Sequence, residues 1–250
     1  MLNQKLSSKV NELFEESHLV MGYQTMTFNI NLQLSSQSKN TINHKRIRRI
    51  MRILKLKSIT RHTRRSYIKT PEGIVTDNIL NRNFYSQNIN EKWVTDFSCL
   101  KYNHGKNKVW LSSILDLCSH ENIAWKICTG PTVRNAIATF KMAFDTFPDA
   151  HPIVHSDRGA SYISLRFHDF LTNHNCTQSM SNPGTPYDNA VMESWWSLFK
   201  TDWFYLEANE LTDLKDVKRL IETGIHYFNT KRRTSKRGGL TPEEIRNQTA

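Results

Sequence analysis

The sequence has little glycine and proline, few cysteines and no long apolar run. Nine glycines and seven prolines among 250 residues are too few for a collagen-like or disordered chain. No apolar stretch approaches the length of a membrane span. Residues 1–18 contain three glutamates instead of the apolar core of a secretory signal. These absences exclude fibrous and membrane-spanning classes and predict that the protein has no membrane partner.

The cysteine pattern argues against a disulfide framework and against a zinc site. The four cysteines contain no CxxC pair: Cys99, Cys118, Cys128 and Cys176. Unpaired thiols of this kind are typical of reduced proteins, so we expect a cytoplasmic location.

Acidic residues are missing from one long segment of the chain. Between Ser17 and Pro71 there are 12 lysines and arginines and no aspartate or glutamate. From Lys92 to Thr230 there are 13 basic and 15 acidic residues, and a second basic cluster follows that includes Lys231, Arg232 and Arg233. Basic segments on both sides of a slightly acidic middle predict a polyanion partner, most simply DNA. A solvated charged surface is the alternative.

A basic amphipathic helix is predicted within residues 42–56. Its apolar residues follow the spacing i, i+3, i+4 and i+7 of one helix face: Ile47, Ile50, Met51 and Leu54. The rest of its surface carries four arginines: Arg46, Arg48, Arg49 and Arg52. Such a helix can lie in a DNA groove, on anionic lipid or on the protein core, and the remaining sequence favours DNA. With the asparagine-rich stretch 78–90 as a linker, residues 1–90 are predicted to form a basic helical N-terminal region.

From Lys92 the pattern changes to short apolar and β-branched segments separated by turns. Strands are predicted at 93–100, 109–115, 122–128, 152–155 and 176–180. Helices are predicted at 131–147, 164–175, 188–204 with Asp188 as N-cap, 211–229, and from Thr241 onward. This order predicts that residues 91–250 form one α/β domain with a mixed sheet and helices outside it.

Three acidic residues occupy unusual places in this pattern. Asp96 interrupts an apolar strand, Asp157 directly follows another, and Glu193 lies in the helix that follows residue 188. A carboxylate in or beside a core strand is costly to desolvate unless it is paired or binds a metal. Converging carboxylates suit Mg²⁺ or Mn²⁺. Taken singly, each residue also has an ordinary explanation, in a turn or on a solvated helix face.

Several segments together resemble a known family. The segments WVTDFSCL, HSDRGASY and SMSNPGTPYDNAVMESWWSLFK resemble the three catalytic blocks of bacterial insertion-sequence transposases with a DDE integrase core. The 35 residues between Asp157 and Glu193 equal the spacing found in that family. INHKRIRRIMRILKL resembles its basic helix, and IHYFNTKRR with LTPEEI resembles its C-terminal signature. The subfamily is the one with two overlapping reading frames.

This resemblance implies a ribonuclease H-like fold and a polynucleotidyl transferase. Asp96, Asp157 and Glu193 would be the catalytic triad and would hold two Mg²⁺ (or Mn²⁺) ions for DNA cleavage and strand transfer. Lys200, seven residues after Glu193, is the candidate for gripping DNA near the scissile phosphate. The arginines of the basic helix and the C-terminal basic cluster would contact DNA elsewhere.

The resemblance also implies partners. The chain is expected to be the downstream-frame product, with an upstream-frame protein or a fused form supplying the helix-turn-helix that reads transposon ends. A homo-oligomer on DNA and a location in the bacterial cytoplasm, at the nucleoid when DNA is bound, are implied too. Two alternatives remain: a ribonuclease H-like nuclease without strand transfer, and a catalytically silent DNA-binding regulator from a decayed element.

Overall fold

The computed structural model describes residues 2–35, 41–58 and 73–249. Three helices come before the sheet: α1 (Leu2–Glu16), α2 (Tyr23–Ser35) and α3 (His44–Ile53). They share one apolar cluster, to which α1 contributes Val10 and Phe14 and α2 contributes Met26 and Ile30. We call α1 to α3 the N-terminal helical unit.

Helix α3 has the amphipathic character that the sequence predicts, except at its end. Ile47, Ile50 and Met51 are buried against α1 and α2, which confirms the predicted apolar face. The prediction for Leu54 is wrong, because the helix ends at Ile53 and Leu54 is exposed. Asn43 begins the helix, since its side chain accepts a hydrogen bond from the N–H of Lys45.

A five-stranded mixed sheet forms the centre of the remaining chain. Its strands are β1 (Lys92–Tyr102), β2 (Asn107–Asp116), β3 (Asn122–Cys128), β4 (Ile153–Ser156) and β5 (Thr177–Met180). The spatial order is β3-β2-β1-β4-β5. The first three strands form an antiparallel meander, and β4 and β5 continue the sheet in parallel with β1. The predicted mixed sheet is therefore confirmed.

Helices cover both faces of the sheet. They are α4 (Val133–Thr146), α5 (Leu165–Asn173), α6 (Ala190–Phe199), α7 (Tyr205–Glu207), α8 (Leu214–Thr230) and α9 (Pro242–Thr249). Neighbouring residues of a strand point to opposite faces. Trp93 accordingly packs with Phe140 of α4, while Val94 belongs to the cluster of Phe199 and Ile221 in α6 and α8. Among the described residues, no helix is long and apolar enough to cross a membrane.

The start of α6 differs from the prediction. Asp188 does not cap this helix, because it lies in a 3-10 turn (Pro186–Asn189) one residue before the N-cap position. Asn189 occupies the cap position but makes no capping hydrogen bond with its side chain. After Phe199 the helix widens into a π turn (Lys200–Phe204) that leads into α7.

The asparagine-rich stretch is irregular, as predicted for a linker, but it is packed against the sheet. We call residues 73–91 the strap. The N–H of Ile74 donates to the carbonyl of Ile163, and the carbonyl of Asp77 accepts from Met180 at the end of β5. Leu80 is buried in the main core. The strap is therefore part of the packed core where β5 ends.

One glycine of α8 is required by close packing. A Cβ atom on Gly224 would lie 2.5 Å from Nε1 of Trp203 and 3.0 Å from Cε2 of Phe199. The Trp203 ring is held in place, because its N–H donates to the carbonyl of Leu220 at 2.9 Å. We expect Gly224→Ala to lower the free energy of unfolding by about 1–3 kcal/mol through overpacking. This loss is expected although alanine is favoured over glycine inside a helix by about 1 kcal/mol.

Urea denaturation of the two proteins measures this difference. Gly22→Ala is the control, because a Cβ atom at Gly22 meets no other atom within 4 Å. A Gly224→Ala variant as stable as the wild type would contradict the expected clash with Trp203.

Candidate active site

Strand register places Asp96 and Asp157 side by side. Val94 of β1 is paired with His155 of β4, and each aspartate follows its strand partner by two residues. Adjacent strands lie about 4.8 Å apart. Asp96 lies in the middle of the long strand β1, and Asp157 is the first residue after β4. The sheet therefore brings together two of the three predicted carboxylates.

The two carboxyl groups affect each other electrostatically. Desolvation raises the pKa of Asp96 well above its usual value, and the negative charge of Asp157 raises it further. The N–H of Phe97, which donates to Asp96 at 2.7 Å, opposes this rise. Desolvation also raises the pKa of Asp157, although that residue remains exposed on one side. Two such neighbouring carboxylates favour a cation between them.

A tight turn shapes the surroundings of Asp157. Its Oδ1 accepts a hydrogen bond from the N–H of Gly159 at 2.9 Å. A Cβ atom on residue 159 would lie only 2.9 Å from the same oxygen. A larger residue at this position would therefore force the Asp157 carboxylate to shift.

Helix α6 presents its Glu193 side toward this pair. Trp196 and Lys200 both interact with Asp96 closely enough to lower its pKa. Glu193 lies three and seven residues before them, hence on the same helix face. It is half-buried in the first turn of α6. Lys200, the predicted DNA-gripping residue, thus lies beside Asp96.

The donor set suits a hard divalent cation. Asp96, Asp157 and Glu193 supply only carboxylate oxygens, the ligands that Mg²⁺ and Mn²⁺ prefer. In the part of the chain that the structure describes, no three His, Cys, Asp or Glu side chains lie close enough together to hold a metal ion. The observed arrangement is therefore an aspartate pair, with the glutamate on a helix that faces it.

Three neighbouring residues belong to the core, and the sequence analysis missed an interaction that one of them makes. His155 is a buried core residue whose ring contacts Ser179 and Ser181 at 2.9 and 3.1 Å. Burial lowers its pKa to about 4, so the ring is neutral. Trp195 and Trp196 are core residues. The missed interaction is that of the buried Trp196 N–H, which makes no hydrogen bond of normal geometry but favours the ionised form of Asp96.

The four arginines predicted to bind DNA on α3 lie on the surface. Arg46, Arg48, Arg49 and Arg52 are all exposed. Arg46 and Arg49 line an open groove between α3 and α1 that also contains Gln4, Ser7 and Ser8. The guanidinium of Arg48 lies 5.4 Å from the ring centroid of Tyr23.

The C-terminal arginines make intramolecular ion pairs. The guanidinium group of Arg232 forms an ion pair with the carboxylate of Asp202 at 3.1 Å and lies over the ring of Phe228. Arg233 forms a two-bond pair with Glu244 at the start of α9. Lys231 is exposed. DNA contact by these three residues stays a prediction, and the two arginines already hold the C-terminal segment together.

Known protein families match both the N-terminal helical unit and the region that contains the sheet. Residues 87–186 and 174–242 match integrase core domain families, and residues 1–64 match an HTH-like domain. The last match identifies an HTH-like region in this chain, which the sequence analysis did not recognise, and the upstream-frame partner stays a prediction. The sequence analysis missed α1, although its buried residues Leu6, Val10, Leu13 and Phe14 have the spacing of one helix face.

Individual relatives agree with these families. The InsK protein of insertion sequence element IS150 from Escherichia coli K12 is 34% identical over 245 residues, covering 98% of this chain and 83% of the relative. A transposase-like protein of Haemophilus influenzae is 33% identical, covering 83% of this chain and 94% of its own length.

Solved structures show the same fold at low identity. The catalytic core domain of HTLV-2 integrase, solved with magnesium, has a TM-score of 0.51 and 19% identity over 64% of this chain and 97% of its own. A chain of a simian T-cell lymphotropic virus intasome has a TM-score of 0.55 and 14% identity over 95% of this chain and 74% of its own. The central sheet and its helices are thus ribonuclease H-like, and the chain belongs to the insertion-sequence transposases with an integrase core domain.

Proposed function

We propose that this protein cleaves DNA at the ends of an insertion sequence and joins those ends to target DNA in a metal-dependent reaction. The observation that carries the proposal is the pair of desolvated aspartates, Asp96 and Asp157, with the Glu193 face of α6 directed toward them. The match to integrase core families supports a polynucleotidyl transferase.

The three carboxylates act as metal ligands. Asp96, Asp157 and Glu193 would hold two Mg²⁺ (or Mn²⁺) ions, which would activate the attacking oxygen and stabilise the leaving 3′-oxygen. The exposed side of Asp157 leaves room for a phosphate to approach. Lys200 binds a DNA phosphate beside the site, and Trp196 helps to keep Asp96 ionised. The reaction needs no nucleophile from the protein.

Two regions of the chain have different roles, DNA binding and catalysis. Residues 1–90 hold DNA through the N-terminal helical unit, whose exposed arginines supply phosphate contacts, and residues 91–250 perform the chemistry. Joining two ends requires both to be held at once, which favours a homo-oligomer on DNA. An upstream-frame protein adds further end recognition, and the complex works on DNA in the bacterial cytoplasm.

A strand-transfer assay tests this function against the two alternatives. A labelled, pre-cut transposon end is incubated with target DNA and Mg²⁺, and Asp157→Asn serves as the inactive control. Joined product is the expected result. Hydrolysis alone would identify a nuclease without strand transfer, and binding without cleavage would identify a catalytically silent regulator.

A further inference from the structure

Asp188, in the 3-10 turn before α6, accepts four hydrogen bonds. It is almost fully buried, with 1% of its side chain exposed. Two donors come from its own loop, namely Thr185 Oγ1 at 2.6 Å and the N–H of Asn182 at 3.0 Å. Although burial raises the pKa of Asp188, hydrogen bonds from Thr185 and Arg82 outweigh this and hold it well below its usual value. The residue is therefore a buried, fixed anion.

The other two donors come from the strap. Arg82 Nε donates to Asp188 at 2.7 Å and Asn78 Nδ2 at 2.9 Å, across more than 100 residues of sequence. The N–H of Leu80 donates to the hydroxyl of Ser179 in β5 at 3.0 Å. Through these bonds, the strap is tied to β5 and to Asp188, two residues before α6 begins.

The first turn of α6 depends on this tie. No capping hydrogen bond comes from the side chain of Asn189, so the turn lacks the usual local support. Glu193 lies in this same turn. Asp188, one residue before the cap, is held from outside the helix and limits how far the turn can move.

The same loop also reaches the turn that holds Asp157. Arg158 Nε donates to the carbonyl of Ser181 at 2.8 Å, and the N–H of Asn182, the next residue, donates to Asp188. The strap, the Asp157 turn and the start of α6 therefore form one continuous hydrogen-bonded chain.

We propose that Arg82 and Asp188 are positioning residues that lock the strap onto the start of α6 and thereby place Glu193 opposite Asp96 and Asp157. This inference rests on the proposed role of Glu193 as a metal ligand.

Arg82→Ala is the main test, because its side chain is 56% exposed and its removal leaves the core intact. We expect Mn²⁺ affinity, measured by calorimetry without DNA, to fall about tenfold, as for other residues that orient metal ligands. Amide hydrogen exchange at residues 190–193 should become faster. Arg82→Lys, which keeps the charge, should recover part of both effects. Asp188→Asn should resemble Arg82→Ala or be more severe.

Arg134→Ala is the matched control, since Arg134 is an exposed arginine in the first turn of α4, outside this network. It should leave Mn²⁺ affinity and hydrogen exchange unchanged. Unchanged Mn²⁺ affinity and unchanged amide hydrogen exchange in a folded Arg82→Ala protein would overturn the inference. The proposed function would still hold in that case if Glu193→Gln loses DNA joining. Wild-type joining by Glu193→Gln would instead remove the proposed role of Glu193 itself.

Discussion

Asp96→Asn, Asp157→Asn and Glu193→Gln are each expected to reduce DNA joining by on the order of 10³-fold or more, since catalytic groups acting as a unit have effects of this size. The amides keep the shape of the side chains but lose the charge that holds a divalent cation. DNA binding should persist, because the arginines of α3 are far from these residues in sequence and remain unchanged. Joining and binding are measured in parallel with the same labelled end.

The metal-free stability of Asp96→Asn gives a second, independent measurement. The folded-state pKa of Asp96 is raised, so its ionised form destabilises the fold at pH values above the normal carboxyl pKa. In EDTA at pH 7 the variant should therefore melt at a higher temperature than the wild type. Added Mg²⁺ should stabilise the wild type and have little effect on the variant.

Asp169→Asn is the control, because Asp169 is an exposed carboxylate on α5, on the opposite face of the sheet from α6. It should join DNA normally and melt like the wild type. Wild-type joining by any one triad variant would remove that residue from the proposed metal site.

Replacing Arg46, Arg48, Arg49 and Arg52 together by alanine is expected to cause the largest loss of DNA affinity. These side chains are exposed, while the apolar residues of α3 that hold the helical unit together are untouched. The slope of log affinity against log salt should become shallower by up to about 0.9 for each phosphate that an arginine no longer neutralises. Fluorescence anisotropy over a range of salt concentrations measures both quantities.

A charge-matched pair of variants separates a local effect from a loss of net charge. Arg49→Ala with Arg52→Ala changes α3, and Lys106→Ala with Lys108→Ala removes the same charge from the β1–β2 turn and the start of β2. The first should weaken binding much more than the second. Equal reductions in affinity would indicate that general charge, and not α3, attracts DNA.

The HTH-like match also changes what we expect for recognition of DNA sequence. From the sequence alone, one short basic helix predicts binding without preference for transposon ends. A packed three-helix unit can instead hold a helix in a groove, where base edges are read. Competition at about 0.15 M salt should then favour a terminal-repeat duplex over a scrambled one by tenfold, or about 1.4 kcal/mol. Equal competition would assign end recognition to an upstream-frame partner.

The sequence by itself determined the sheet, most of the helices and the candidate carboxylates. The elements depend on local information, such as the apolar strand around Asp96 and the strand end before Asp157, whereas the grouping of these aspartates with Glu193 came from the family resemblance. The capping prediction at Thr241 also holds, because its hydroxyl accepts from the N–H of Glu244 three residues later. This cap is visible in the sequence because its donor and acceptor lie only three residues apart.

The tertiary structure decided every partner that lies far away in the sequence. Asp188 reads locally as a helix cap, but donors from the strap make it a buried anion. Arg232 is predicted from the sequence to contact DNA, and only the fold shows that the π turn after α6 also brings Asp202 to it. The pairing of β1 with β4 likewise decided that Asp96 and Asp157 meet. Ion pairs and hydrogen bonds of this kind join residues on different helices and strands. They therefore depend on how those elements pack, which neighbouring residues in the sequence do not reveal.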